Sequence, residues 1–281
     1  MLEKTDIVAN APHVLENLVD PYPTDDAEQK PMPCLSILAT LQKQLQDEAT
    51  NSWPLSCIPR VFRADTTKVE DGQDGDAESK DSQKHTFPSI SVPENINPGP
   101  KTLFPGIYFS LFADQDVESV PSTSNIASTV IRDSIVDTVN LLDYNRNFAA
   151  KFLIELDCYW AHGTFVKRST AFDKLVHVPE GKSTWKPEDM VVDAVFSQIM
   201  QLPKPECKLV YYHSLITEAC KIAPAAIAPS LGRAIRFLFR NIEIMDLDLV
   251  YRYMDWFAHH LSNFDFRWKW TEWYDINLER N

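Results

Sequence analysis

Apolar side chains return every third or fourth residue through most of the chain beyond residue 125, which predicts a succession of amphipathic helices. Ile131, Ile135, Thr138, Val139 and Leu142 form one stripe, and Phe148, Phe152, Leu156 and Tyr159 the next. Val191, Val195 and Ile199 follow, then Leu209, Tyr212, His213, Ile216 and Cys220, then Ile227, Leu231, Ile235, Leu238 and Ile242. The most regular stripe is Leu247, Val250, Tyr251, Met254, Phe257 and Leu261. On the same segment Asp248, Arg252, Asp255 and His259 read as a solvated face, while His260 with Tyr253 and Trp256 makes a second apolar side. Such a helix is expected to be interior or to meet a partner. The connectors QLPKP (201–205), IAPA (222–225) and NIEIMD (241–246) are short, and Asp246 is placed to cap the helix after it. Short links between such helices imply antiparallel neighbours. The fold class is therefore all-α, an array of antiparallel helical hairpins of the armadillo or HEAT-like solenoid kind.

Ahead of this array the character differs. Helical spacing occurs at 6–19 and again at 35–49, where Leu35, Leu38, Leu41 and Leu45 align, with the proline-rich PYPTDDAEQKPMP between them. The stretch 65–84 holds seven acidic and three basic residues and little to bury, and Pro88, Pro93, Pro98, Pro100 and Pro105 come soon after. A stretch of that kind cannot offset its ordering entropy by burial, so a disordered acidic and then proline-rich insertion is expected over 63–121. LFPGIYFSLF (103–112) is the exception, apolar enough to dock on a neighbouring surface.

Composition narrows the chemistry. The net charge is −13, but residues 1–125 carry 9 basic and 20 acidic side chains whereas 126–281 carry 18 and 20. No global basic footprint for nucleic acid exists, so any RNA contact must be local or carried by a partner. Only 7 glycines occur, none in GxG spacing, so the usual phosphate cradles and the GxSxG elbow are missing. The five cysteines are scattered without CxxC pairs, which reads as reduced core thiols in an intracellular compartment. The N-terminus does not read as a signal peptide, and no apolar run approaches the length of a membrane span. No nucleophile, metal or glycine-rich constellation assembles, so neither an enzyme nor a cofactor is expected.

Three local features are candidates for binding. Asp255 and His259, at i and i+4, could share a metal, but no third ligand is signalled and a solvated face explains them. Arg233, Arg236 and Arg240 fall on one helix as a basic ridge for phosphate or an acidic partner, or as an ordinary solvent face. The most unusual run is Phe264-Asp265-Phe266-Arg267-Trp268-Lys269-Trp270, followed by Trp273 and Tyr274. If extended, it sends rings to one side and charges to the other. Its rings could stack on single-stranded bases, form a protein interface, or plug the open end of the array.

The string WFAHHLSNFDFRWKW (256–270) resembles a signature segment of the large subunit of the nuclear cap-binding complex. The stretches 195–203 and 212–221 resemble the preceding helices of that family's middle domain, and WPLSCIPRVF (53–62) its inter-domain connection. The resemblance implies three helical-repeat domains related to the middle domain of the scaffold initiation factor four-G. It implies a small partner subunit with an RNA-recognition fold, which stacks the 7-methylguanosine cap while the large subunit docks RNA processing and export factors. On this reading the chain is a partial one: 1–62 a remnant of the preceding helical domain and its connector, 122–281 the middle domain. It would be a nuclear scaffold, able to shuttle to the cytoplasm, supporting mRNA processing, export and decay without catalysis, cofactor or membrane contact. The partner surface would draw on Trp256, His260, Asn263, Phe264, Phe266, Arg267, Trp268 and Trp270. Two alternatives remain at this stage: an unrelated helical-repeat adaptor of translation or RNA decay with no cap link, and a direct RNA binder using Arg233, Arg236, Arg240 and the aromatic run.

Overall fold

The computed structural model describes residues 2–9, 37–59, 91, 106–112, 115–179 and 181–273. The acidic stretch 65–84 and the first part of the proline-rich stretch lie outside these residues, as do Cys34, Leu35 and most of the expected helix at 6–19. Every regular element among the described residues is a helix: α1 (Leu2–Ala9), α2 (Ile37–Thr50), α3 (Ile126–Leu141), α4 (Arg146–Ile154), α5 (Pro187–Ile199), α6 (Leu209–Ile222), α7 (Pro224–Arg240) and α8 (Leu247–Asn263). None of them is long and apolar enough to cross a membrane.

The helices pair in two rows. α3, α5 and α7 pack in sequence along one layer, α4, α6 and α8 along the other, and α1 and α2 form a hairpin laid on α3. Local chemistry sets the element ends. Asn125 accepts the Ala127 N–H at 2.9 Å and Asn145 that of Phe148 at 3.2 Å, while Pro187 and Pro224 open α5 and α7 where a backbone N–H would be idle. The expected stripes of α3, α6 and α7 point inward: Ile131, Ile135 and Val139, then Tyr212, Ile216 and Cys220, then Ile227, Leu231, Ile235 and Leu238 are all buried.

Ahead of α8, three helices differ from their sequence reading. In α4 the buried residues are Ala149, Ala150 and Leu153, with Leu156 just beyond, whereas Phe148 and Tyr159 of the expected stripe are exposed. The helix stops at Ile154 and a 3₁₀ turn (Leu156–Tyr159) follows, so the 3.6-residue register is not maintained across the stripe. In α2, Leu38 is exposed and Thr40, Gln42 and Gln44 are buried. Gln44 explains the inversion, for its amide donates to Thr123 O at 2.8 Å and Ser128 Oγ at 3.0 Å and accepts from Thr129 Oγ1 at 2.7 Å. A satisfied amide in a helix joint replaces the apolar seam. α5 is the third case, since Pro187 to Phe196 are buried without interruption, carboxylates included. It is the central helix of its layer, covered by α3 and α7 on either side and by α6 from the other layer.

The buried carboxylates of α5 organise the loops. Asp193 accepts the Leu111 N–H at 2.6 Å and pairs with Arg132 of α3, which also donates to Phe109 O and to Tyr108 Oη at 3.0 Å. The segment 106–112 is thereby strapped across the array, and Leu111 and Phe112 enter the core alongside Cys57 and Val120. Asp189, a turn earlier, accepts Ser230 Oγ at 2.5 Å and the Arg233 guanidinium. Of the described cysteines, all free thiols, Cys57 and Cys220 are buried, Cys207 is half-buried and Cys158 is exposed.

Candidate partner surface at the end of the array

α8 closes the second layer. Asp246 caps it through the Asp248 N–H at 2.9 Å, and its inner face is Arg252, Tyr253, Trp256, Phe257 and Leu261. The regular stripe seen in the sequence is not this face. Phe257 and Leu261 are buried, but Leu247, Tyr251 and Met254 point outward and are exposed. The helix has two apolar sides, and periodicity alone does not say which one meets the core.

Arg252 overturns the expectation of a solvated charged face. It is buried, and its guanidinium donates to Ile199 O at 3.1 Å, Gln201 O at 2.6 Å and Pro203 O at 2.6 Å while pairing with Asp248 at 2.9 Å. These carbonyls lie at and just past the C-terminus of α5, where the helix leaves acceptors without intrahelical donors. Arg252→Met, which keeps the bulk, is expected to cost about 2 kcal/mol in urea unfolding. The cost is not larger because Gln201 and Pro203 are exposed and water can take over their acceptors.

Asp255 and His259 do not meet further ligands, and among the described residues no group of three or more His, Cys, Asp or Glu could hold a metal. His259 instead faces His213 of α6, ring centroids 5.7 Å apart. Burial pushes His213 and His260 down to about 4, with His259 adding repulsion in both cases, and His259 itself is lowered by burial and by Lys221.

Beyond Asn263 the aromatic and charged run does not extend. The N–H groups of Phe264 and Phe266 both reach Leu261 O, at 3.0 and 2.9 Å, and Asp265 and Phe266 take φ values of 54° and 55°. The chain turns through a tight knuckle and re-enters a helical turn near Trp273. The eight residues named from sequence therefore divide. Trp256 has no exposed surface and packs edge-on to Phe196 of α5 at 4.6 Å. His260, Phe264 and Trp268 are half-buried: His260 lies between Trp256 at 5.3 Å and Phe264 at 4.7 Å, and Trp268 stands edge-on to Phe257 at 5.7 Å. Asn263, Phe266, Arg267 and Trp270 are exposed, although Asn263 Oδ1 also takes Lys221 Nζ at 3.3 Å.

The three arginines of α7 do not act as one ridge. Arg233 is held by Asp189, by Gln115 at 2.9 Å and over the rings of Phe112 and Phe172. Arg236 binds Glu272 at 2.8 Å and lies 5.1 Å over Trp268, and the two partners hold the knuckle's return against α7. Its hydrogen bond and that of Lys269 bring the Glu272 carboxyl down to about 2. Arg240 is exposed beside a cavity of about 230 Å³ lined also by Arg236, Phe239, Glu272 and Trp273.

A family model described as MIF4G like matches residues 121–281. Nuclear cap-binding protein subunit 1 of Schizosaccharomyces pombe is 39% identical over 201 residues, covering 69% of this chain and 26% of that protein. Nuclear cap-binding protein complex subunit 1 of Saccharomyces cerevisiae is 34% identical over 165 residues, 58% of this chain and 19% of its own length. The human nuclear cap-binding protein subunit 1 is 26% identical over 251 residues, 88% of this chain and 27% of its own length. The chain thus spans about a quarter or less of the curated relatives it matches. The match of the family model over α3 to α8, more than half of the chain, places it in the MIF4G-like family, with proteins named as subunit 1 of nuclear cap-binding complexes among its relatives.

Proposed function

We propose that this chain is a non-catalytic scaffold of a nuclear cap-binding complex. Its array binds a small subunit of RNA-recognition fold, and that subunit holds the 7-methylguanosine cap of nuclear transcripts. Through this assembly the chain supports mRNA processing, export and decay, and it meets capped RNA only indirectly. Residues 1–62 are read as the end of a preceding helical domain with its connector, 63–121 as a linker whose last part docks on the array, and 122–281 as the middle domain. The observation that carries the proposal is the knuckle after α8. In a chain related to subunit 1 of cap-binding complexes, it offers Phe266, Arg267 and Trp270 to solvent on an ordered aromatic base. Exposed aromatic and arginine side chains on a rigid support are the composition that protein interfaces enrich.

The test is capture of the purified 281-residue chain on cap resin, with and without the cognate small subunit. Retention only with the small subunit, and release by free cap analogue, is the expected result. Absence from the resin in both arms, for a chain shown helical by circular dichroism, would count against the proposal. So would retention of the chain alone.

A further inference from the structure

We infer that Phe266 is the anchor of the protein interface proposed above, and that the backbone is held in a strained turn in order to present it. The inference rests on that reading of function and adds to it the residue that makes the contact and the chemistry it meets. Phe266 adopts φ 55° directly after Asp265 at 54°, a left-handed conformation that a residue with a bulky side chain rarely takes and a glycine takes freely. Packing within the chain does not offset the strain, because the residue is 63% exposed. Yet the turn is well fixed. The Phe266 N–H donates to Leu261 O at 2.9 Å, the Arg267 N–H to Phe264 O at 3.1 Å, and the Trp270 indole N–H to Phe266 O at 3.3 Å. The same stretch of chain is tied to α8 by Trp268 and Trp273, which meet Phe257 at 5.7 and 5.3 Å, so the turn that carries Phe266 is anchored by packed aromatic rings. Strain kept at an exposed side chain points to a use outside the fold.

The surroundings define the partner. Trp270 is 48% exposed, and the Arg267 side chain, 85% exposed, pairs among the described residues with the equally exposed Asp265 at 3.7 Å. A surface pair of that kind is weak and can be exchanged for another carboxylate. Glu272 holds both Lys269 at 3.0 Å and Arg236 at 2.8 Å, so Arg267 is the cation of the knuckle left with only a weak, exposed pair. Phosphate binding needs a clear cationic excess. The occupant that fits is a folded protein surface with an apolar pocket for Phe266 and a carboxylate at its rim for Arg267, and we assign it to the small subunit.

Phe266→Gly separates this role from a structural one. The glycine relieves the left-handed strain and removes only an exposed ring, so the melting temperature of the full chain should hold or rise by about 2 °C. Affinity for the small subunit, measured by calorimetry, should fall on the order of 30-fold. Arg267→Ala should slow association a few-fold and flatten its salt dependence while dissociation changes little. Unchanged affinity in Phe266→Gly, when the wild-type chain binds, would overturn the anchor and leave the cap-complex reading in place. A lowered melting temperature would show that the ring serves the fold instead. If the wild-type chain does not bind the small subunit, both inferences fall. Single-stranded RNA bound by the chain alone and lost in Phe266→Gly would reassign the knuckle to RNA.

Discussion

Asp193→Ala is expected to lower the unfolding free energy by about 4 kcal/mol and the melting temperature by about 10 °C. Asp193 is fully buried, and its two oxygens serve different masters: one accepts the Leu111 N–H at 2.6 Å, the other the Arg132 guanidinium. Burial raises its pKa, and Arg132 opposes that rise by favouring the ionised form. Truncation leaves a buried guanidinium, itself 4.2 Å under the Tyr108 ring, without its counter-charge, and leaves the Leu111 N–H without an acceptor. Unpaired charge dominates the cost, since a buried pair loses far more when one partner goes than when both do. Arg132→Met combined with Asp193→Leu should therefore lose less than Asp193→Ala alone. Hydrogen exchange gives the local readout: amides of Leu111 and Phe112 should lose protection in Asp193→Ala before those of α6 do. Equal loss in both segments would mean that the pair serves the array as a whole and not the strap.

The strap also shows what was legible in the sequence. An apolar decapeptide at 103–112 inside an otherwise polar region marks a docking segment, but its latch joins residues 61 positions apart and carries no local signal. Arg252 is similar: its acceptors lie 49 to 53 residues upstream, so on its own helix it reads as one member of a charged stripe. Periodicity located α3, α6 and α7 with their inner faces because each has one apolar side. For α8, with two, it found the helix but left open which side meets the core. For α5, where burial is continuous, it named Val191, Val195 and Ile199 but not the buried Asp189 and Asp193 that tie the layer to its loops. The run after α8 was visible as chemistry. Its shape was not, because alternation suits a strand, whereas hydrogen bonds from Phe264 and Phe266 to Leu261 make it a turn. That geometry separates Trp256, His260, Phe264 and Trp268, which build the support, from Phe266, Arg267 and Trp270, which stand on it.

The array is closed at this end by a joint whose strength should depend on pH. α6 and α8 meet through His213 and His259, and His260 lies one residue on, between Trp256 and Phe264. Burial is the main reason that His213 and His260 sit near 4 rather than the ordinary 6.5, and the neighbouring His259 pushes both in the same direction. Asp255 works the other way on His213 and Lys221 lowers His259, so the joint is neutral when folded at pH 7. Because the folded values lie below the unfolded one, the unfolded chain takes up protons first as the pH falls. Stability is therefore full above about pH 6.5 and is lost progressively down to about pH 4. For His213, which is buried, the loss at pH 5 is about 2 kcal/mol, approaching about 3 kcal/mol at pH 4, and His260 adds to it with the same sign. The measurement is urea unfolding at pH 7.5, 6 and 5 of the full chain and of His213→Asn. Removing the titrating ring should flatten the pH dependence by that amount even where the variant is less stable at pH 7.5. Parallel curves for the two proteins would place the acid sensitivity elsewhere. A joint that weakens in acid also loosens the support of the knuckle, since His260 and Phe264 are shared between them. On the function proposed above, affinity for the small subunit should accordingly fall between pH 7 and 5.5 in the wild type, and fall less in His213→Asn.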